Sequence, residues 1–171
     1  MAWLPSVSLL QLRLALDASW APDTAYLGVY KPGNSALGQC YPTSRVVQWF
    51  FPDLEITTGE VDTGSSLETH FWNIDCSTEP PEHVDLTWQQ FPSTSRVVRF
   101  RLLDRNTLGD SPPTVLRCRL LLKRVLLALG HRDCSDCLEA AQEGGTCGVG
   151  AEMNNLAVCR RAPDEALDPA P

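Results

Sequence analysis

Asp62-Thr63-Gly64-Ser65-Ser66 is the stretch of this chain best suited to chemistry. An aspartate held in a tight glycine turn can activate water when a second carboxylate shares its proton, which needs two such turns face to face. Only one copy is present, so Asp62 could work only across a homodimer. The other reactive reservoir is sulfur, in Cys40, Cys76, Cys118, Cys134, Cys137, Cys147 and Cys159. Cys134, Cys137, Cys147 and Cys159 could hold a tetrahedral metal such as zinc. Zinc sites usually bring their ligands as two close pairs, however, and here eleven residues separate the second pair. Disulfides are the expected use of these cysteines, with at least two bridges that engage three or more of Cys134, Cys137, Cys147 and Cys159. An odd cysteine is then left free or available to link a second chain.

The Asp-Thr-Gly-Ser-Ser stretch resembles the catalytic turn of aspartic peptidases, and the single copy matches the retroviral, homodimeric type. Leu127-Ala128-Leu129-Gly130 is similar to the apolar element that packs beneath that turn. The departures lie upstream, where Gly59 and Glu60 stand on a strand that should be apolar, and a buried Glu60 would repel Asp62. Asp, Thr, Gly and Ser are also the residues a surface turn prefers, and a solvated turn is the expected reading. Cys134 to Cys159 resembles the cysteine block of plant wall-associated receptor ectodomains, which implies polysaccharide binding. Cys40, Cys76, Cys118 and the strand Arg96–Leu102 follow an order similar to zona pellucida-type polymerising modules. Both resemblances cover part of the chain with loose spacing.

The three histidines, His70, His83 and His131, are scattered, and His70 among aromatics reads as a core residue. No phosphate-cradling glycine loop and no nucleophile elbow is spelled. Trp72 and Trp88 are the aromatic candidates for stacking on a sugar or filling a partner's pocket. A formal charge of −7, from 14 bases and 21 acids, argues against a nucleic-acid surface. No apolar run is long enough to span a membrane. Nothing calls for a cofactor. Cysteine usage points to an extracellular or secretory-lumen setting.

These residues would be positioned by a mainly β architecture. Candidate strands fall at 8–17, 25–30, 45–51, 54–58, 69–74, 84–88, 96–103 and 114–122, separated by Pro- and Gly-rich turns. Leu10, Leu12, Leu14 and Leu16 alternate with polar residues, which favours a strand over a leader peptide. Thr43-Ser44-Arg45-Val46-Val47 recurs as Thr94-Ser95-Arg96-Val97-Val98, so the two segments are expected to be equivalent strands with buried valines. The segment 114–130 fits either a strand or a helix closed by Gly130. The expected fold is an antiparallel sandwich or barrel with a short helix and a cysteine-rich C-terminal segment. It divides into a β-rich domain (1–130), a cysteine-rich appendage (131–161) and a flexible acidic tail (162–171). The expected function is a non-catalytic structural or binding module for a protein or carbohydrate partner, or a subunit of a larger assembly. The alternative is a homodimeric aspartic peptidase using Asp62.

Overall fold

The computed structural model describes residues 4–105 and 109–131. The elements run α1 (Leu9–Asp17), α2 (Cys40–Phe50), β1 (Glu55–Asp62), β2 (Leu67–Asp75), β3 (Glu82–Val84), β4 (Arg96–Leu102) and α3 (Pro112–Ala128). The strands form one antiparallel sheet in the order β3-β2-β1-β4. The antiparallel β expectation therefore holds coarsely. The described residues pair into this one sheet rather than a sandwich, and three helices accompany it.

Two segments expected as strands are helices. Residues 8–17 alternate in hydropathy, but Ser8 and Gln11 form a reciprocal capping box that starts α1. Arg13 and Asp17 pair one turn apart, and Leu12, Ala15 and Leu16 are buried on one stripe. The segment 45–51 lies in α2, where Val46 and Val47 are wholly buried. Valine's preference for strands yields here to packing against the other helices. Pro42 sits in the first turn, where a missing N–H costs nothing. The repeated Thr-Ser-Arg-Val-Val is thus helical once and extended once, and Val97 is only half-buried. The expected strand at 25–30 is a single 3-10 turn within a loop.

The helical option is the one adopted at 114–130. Pro112 and Pro113 open α3, and Cys118, Leu121, Leu122, Val125 and Leu126 are buried at helical spacing. Gly130, at φ 88°, closes it, with the His131 N–H returning to the Leu126 carbonyl. Leu12 and Leu16 of α1, Val46 and Val47 of α2, and the α3 stripe form one apolar core.

The sheet has two different faces, because paired residues on neighbouring strands share a side. Phe71 and Asn73 face α2, where the Phe71 ring meets Tyr41 edge-on and Asn73 Nδ2 donates to the Ser44 carbonyl at 3.1 Å. His70 and Trp72 point to the opposite face, as does Phe100 through its pairing with Gly59. Gly59 is required there, since a Cβ at this position would lie 2.6 Å from the Trp72 ring. Strand β3 pairs only with Asn73–Asp75, so the outer edge of β2 from Leu67 to Trp72 has no strand neighbour.

Candidate functional site

Chemistry concentrates at that uncovered edge. Gly38, at φ 73°, turns the chain so that Cys40 becomes the first residue of α2, and a Cβ on it would press on Val29 at 3.2 Å. No side chain caps α2, and the amide of Gln39 goes instead to the Ala21 carbonyl at 2.9 Å. The helix start is therefore a set of backbone donors beside a thiol. The backbone N–H groups of Phe71, on the open edge, and of Tyr41 favour the Cys40 thiolate. Burial outweighs both and, with the Asp85 carboxylate nearby, pushes the thiol up to about 11. At neutral pH Cys40 is a protonated thiol.

His70, fully buried, stands beside Phe71 on β2. Its Nε2 lies 2.7 Å from Asp85 Oδ2, and its Nδ1 lies 3.2 Å from Gln90 Nε2. The carboxylate accepts and the amide donates, so the ring carries its proton on Nε2 and keeps Nδ1 as the basic atom. Asp85 is itself fixed, because its Oδ1 accepts from the Thr87 N–H at 2.8 Å and the Thr87 hydroxyl at 3.1 Å. Phe91 meets the imidazole edge-on at 4.8 Å, and Trp72 stacks on it at 5.5 Å. The ring is thus held by charge, hydrogen bonds and aromatic packing together.

This Asp85–His70–Gln90 chain joins two hollows. Asp85 borders a recess of about 660 Å³ walled by Trp72, Trp88 and Phe100. Gln90 borders a cleft of about 970 Å³ that also contains Cys40, Tyr41 and Phe71. Cys40 itself is not hydrogen-bonded to His70, whose basic Nδ1 is occupied by the Gln90 amide. Gln90 thus carries the Asp85–His70 chain to the cleft that Cys40 lines, while the His70 ring itself lies on the sheet face away from α2.

A model of the YunG protein family matches residues 8–130. The chain belongs to that family. The match runs from the cap of α1 to the glycine that closes α3, so the YunG segment includes the helix start, the sheet and both hollows. No curated protein and no solved structure matches the chain.

Within the YunG segment, Trp72 and Trp88 are brought to one recess, although Trp72 is 97% covered. Trp72 donates from Nε1 to His83 Nδ1 at 2.7 Å, and burial lowers the His83 pKa. Cys40 and Cys118 carry free thiols, which corrects their reading as bridged residues. Cys76 is buried just past β2 and is not one of these free thiols. Cys134, Cys137, Cys147 and Cys159 lie outside the described residues, and so do the appendage and the acidic tail. No helix among the described residues is long and apolar enough to cross a membrane.

Asp62 ends β1 in a turn. Its Oδ1 accepts from the Gly64 N–H at 2.8 Å, an Asx turn, and its Oδ2 lies 3.4 Å from Arg96. Glu60, paired to Arg99 at 2.6 Å, faces solvent, and that guanidinium lowers its pKa. Both features belong to the solvated turn. Asp62→Asn is expected to melt within a degree or two of the parent, because it gives up only an exposed pair worth about 0.5 kcal/mol. A loss above ~2 kcal/mol in urea unfolding would contradict this reading of the turn.

The residues missed in the sequence are Cys40, His70 and Asp85 as a set. The available signal was Gly38-Gln39-Cys40 ahead of a possible helix, followed by one histidine and then one aspartate on strand-like segments.

Proposed function

We propose that this YunG-family chain is a thiol-dependent acyl-transfer enzyme, a hydrolase of amide or ester bonds, with Cys40 as nucleophile and His70 as base. The observation that carries the reading is the buried His70, whose Nε2 is held by Asp85 at 2.7 Å while its basic Nδ1 faces Gln90 of the Cys40 cleft. Such an ordered carboxylate–imidazole pair beside a thiol follows the logic of nucleophile, base and orienting acid. Substrate would displace the Gln90 amide from Nδ1. The Cys40 proton then passes to Nδ1 as sulfur bonds to the carbonyl carbon. The imidazolium returns that proton to the leaving nitrogen or oxygen as its bond breaks, and water deprotonated by the same ring releases the acid and restores the thiol. Uncapped N–H groups at the start of α2 suit the developing oxyanion.

The test is acyl transfer at neutral pH. An activated acetyl ester at pH 7 is expected to leave a thioester on Cys40, seen by peptide mass spectrometry. Cys40→Ala should lose it. His70→Gln should slow it by about 100-fold or more, the scale of general base catalysis. A thiol held at about 11 and acting alone would acylate only in strong alkali. A Cys40 that stays unmodified at pH 7 in the folded protein would end the proposal.

A second reading is favoured by one specific observation. Trp72, Trp88 and Phe100 wall a single recess, which suits a non-catalytic module that binds a protein or carbohydrate partner. On that reading Trp88→Ala weakens partner binding, while Cys40→Ala changes nothing.

A further inference from the structure

The wall of the Cys40 cleft carries two arginines, Arg101 and Arg117, among three acids, Glu68, Asp104 and Asp110. Arg101, on β4, lines it, and its side chain makes no ion pair or hydrogen bond with any described residue. Arg117, on α3, lines it too, with its guanidinium 5.8 Å from the Tyr26 ring and, among the described residues, bonded only to the Thr114 hydroxyl at 3.0 Å. Its Nε is buried without an acceptor. Two of the acids are engaged elsewhere, since Asp110 pairs with Arg45 at 3.3 Å and accepts the Tyr41 hydroxyl, and Asp104, just past β4, has a partner of its own. Glu68 stands at the exposed margin and accepts from Ser66. Two guanidiniums with spare donors therefore border a cleft whose reactive atom is a thiol. A guanidinium with an empty fork is built to take a carboxylate.

The mouth of the cleft adds a second feature. Tyr26 and Val29 line it and, with the adjoining Leu27 and Tyr30, are largely exposed, and Leu27 is held at φ 52°, a conformation that a leucine adopts at a cost. An exposed apolar lip maintained against backbone preference, beside arginines with donors to spare, fits a ligand with an apolar part and a negative charge.

Resting on the thiol reading above, we infer that Cys40 acts on acyl groups that carry a carboxylate, with Arg101 as the specificity-determining residue and Arg117 as its support. Arg101 touches substrate in this scheme and takes no part in the proton transfers.

The experiment compares alkylation of the full chain by iodoacetate, an anion, and by iodoacetamide, its neutral analogue. Both are run at pH 7, with Cys40 identified by peptide mapping. The ratio of the two rates at Cys40 is referred to the same ratio for the urea-unfolded chain, which removes the reagents' intrinsic difference. In the folded protein the ratio is expected to rise about tenfold, the effect of one or two partly shielded charges. Arg101→Gln should lower the ratio about fivefold, the iodoacetamide rate dividing out any change in ionisation of the thiol itself, and Arg101→Lys should retain most of it. A ratio that Arg101→Gln leaves unaltered overturns the inference alone. A Cys40 inert to both reagents overturns the thiol reading and this inference with it.

Discussion

Gly59→Ala is expected to cost the fold about 3 kcal/mol or more, a large effect for one methyl group. The new Cβ would sit 2.6 Å from the Arg99 carbonyl oxygen and 2.6 Å from the Trp72 ring. Neither neighbour can give way cheaply. The first belongs to the backbone of β4, and the second is a buried indole tied to His83 and packed beside His70. Thermal unfolding followed by circular dichroism should show a drop on the order of 10 °C. A variant melting within two degrees of the parent would mean that β4 and Trp72 are not clamped over this glycine.

Asp85→Asn should do the opposite, sparing the fold and removing the chemistry. Asparagine keeps an oxygen for the Thr87 N–H and hydroxyl, so the turn that carries it survives. Its amide then faces His70 Nε2 and drives the ring proton onto Nδ1. A protonated Nδ1 cannot accept from a thiol and confronts the Gln90 amide donor to donor. Acetyl transfer to Cys40 at pH 7 is therefore expected to fall by about 10³-fold or more, as when a triad histidine is locked in the wrong tautomer. The stability loss should stay within ~1–3 kcal/mol, the scale of one spoiled buried hydrogen bond. A variant with parental acylation would show that the Asp85–His70 pair is a packing feature only.

How far the sequence foretold this arrangement differs between its parts. Strands β1, β2 and β4 fall close to the expected 54–58, 69–74 and 96–103, since each is β-branched or aromatic, bounded by turns, and paired to a neighbour that uses those side chains. The helices were harder to read. In α1 a Leu-rich alternation hid the capping box, and one reciprocal pair at Ser8 and Gln11 decided the outcome. The repeated Thr-Ser-Arg-Val-Val shows that five residues do not carry their own conformation. One copy follows a helix start with Pro42 in its first turn, whereas the other follows a turn closed by Ser95 N–H to the Pro92 carbonyl. The site was legible only as scattered letters. Cys40, His70 and Asp85 belong to a helix start, a central strand and a loop, and it takes the packing of α2 on β2 and the pairing of β2 with β3 to assemble that end of the sheet. The more conspicuous Asp-Thr-Gly spelling marks a hairpin turn, which the same residue preferences produce.

The β1–β2 pair is closed by four residues, Asp62 facing Leu67, whereas β1 meets β4 through partners as distant as Thr57 and Leu102. In kinetic terms the hairpin is a local unit with little chain entropy to overcome, and β4 joins it only after a long loop has closed. Strand β4 has one neighbour, a register break opposite Glu60 and Val61, and Val98 and Phe100 open to solvent. It is thus the strand that zips last and frays first. Val97, Val98 and Phe100 wall the aromatic recess, so each fraying event takes down one side of that hollow while the Asp85–His70 pair stays anchored to β2. The recess is as lasting as its outermost strand, and the imidazole beside it is as lasting as the hairpin.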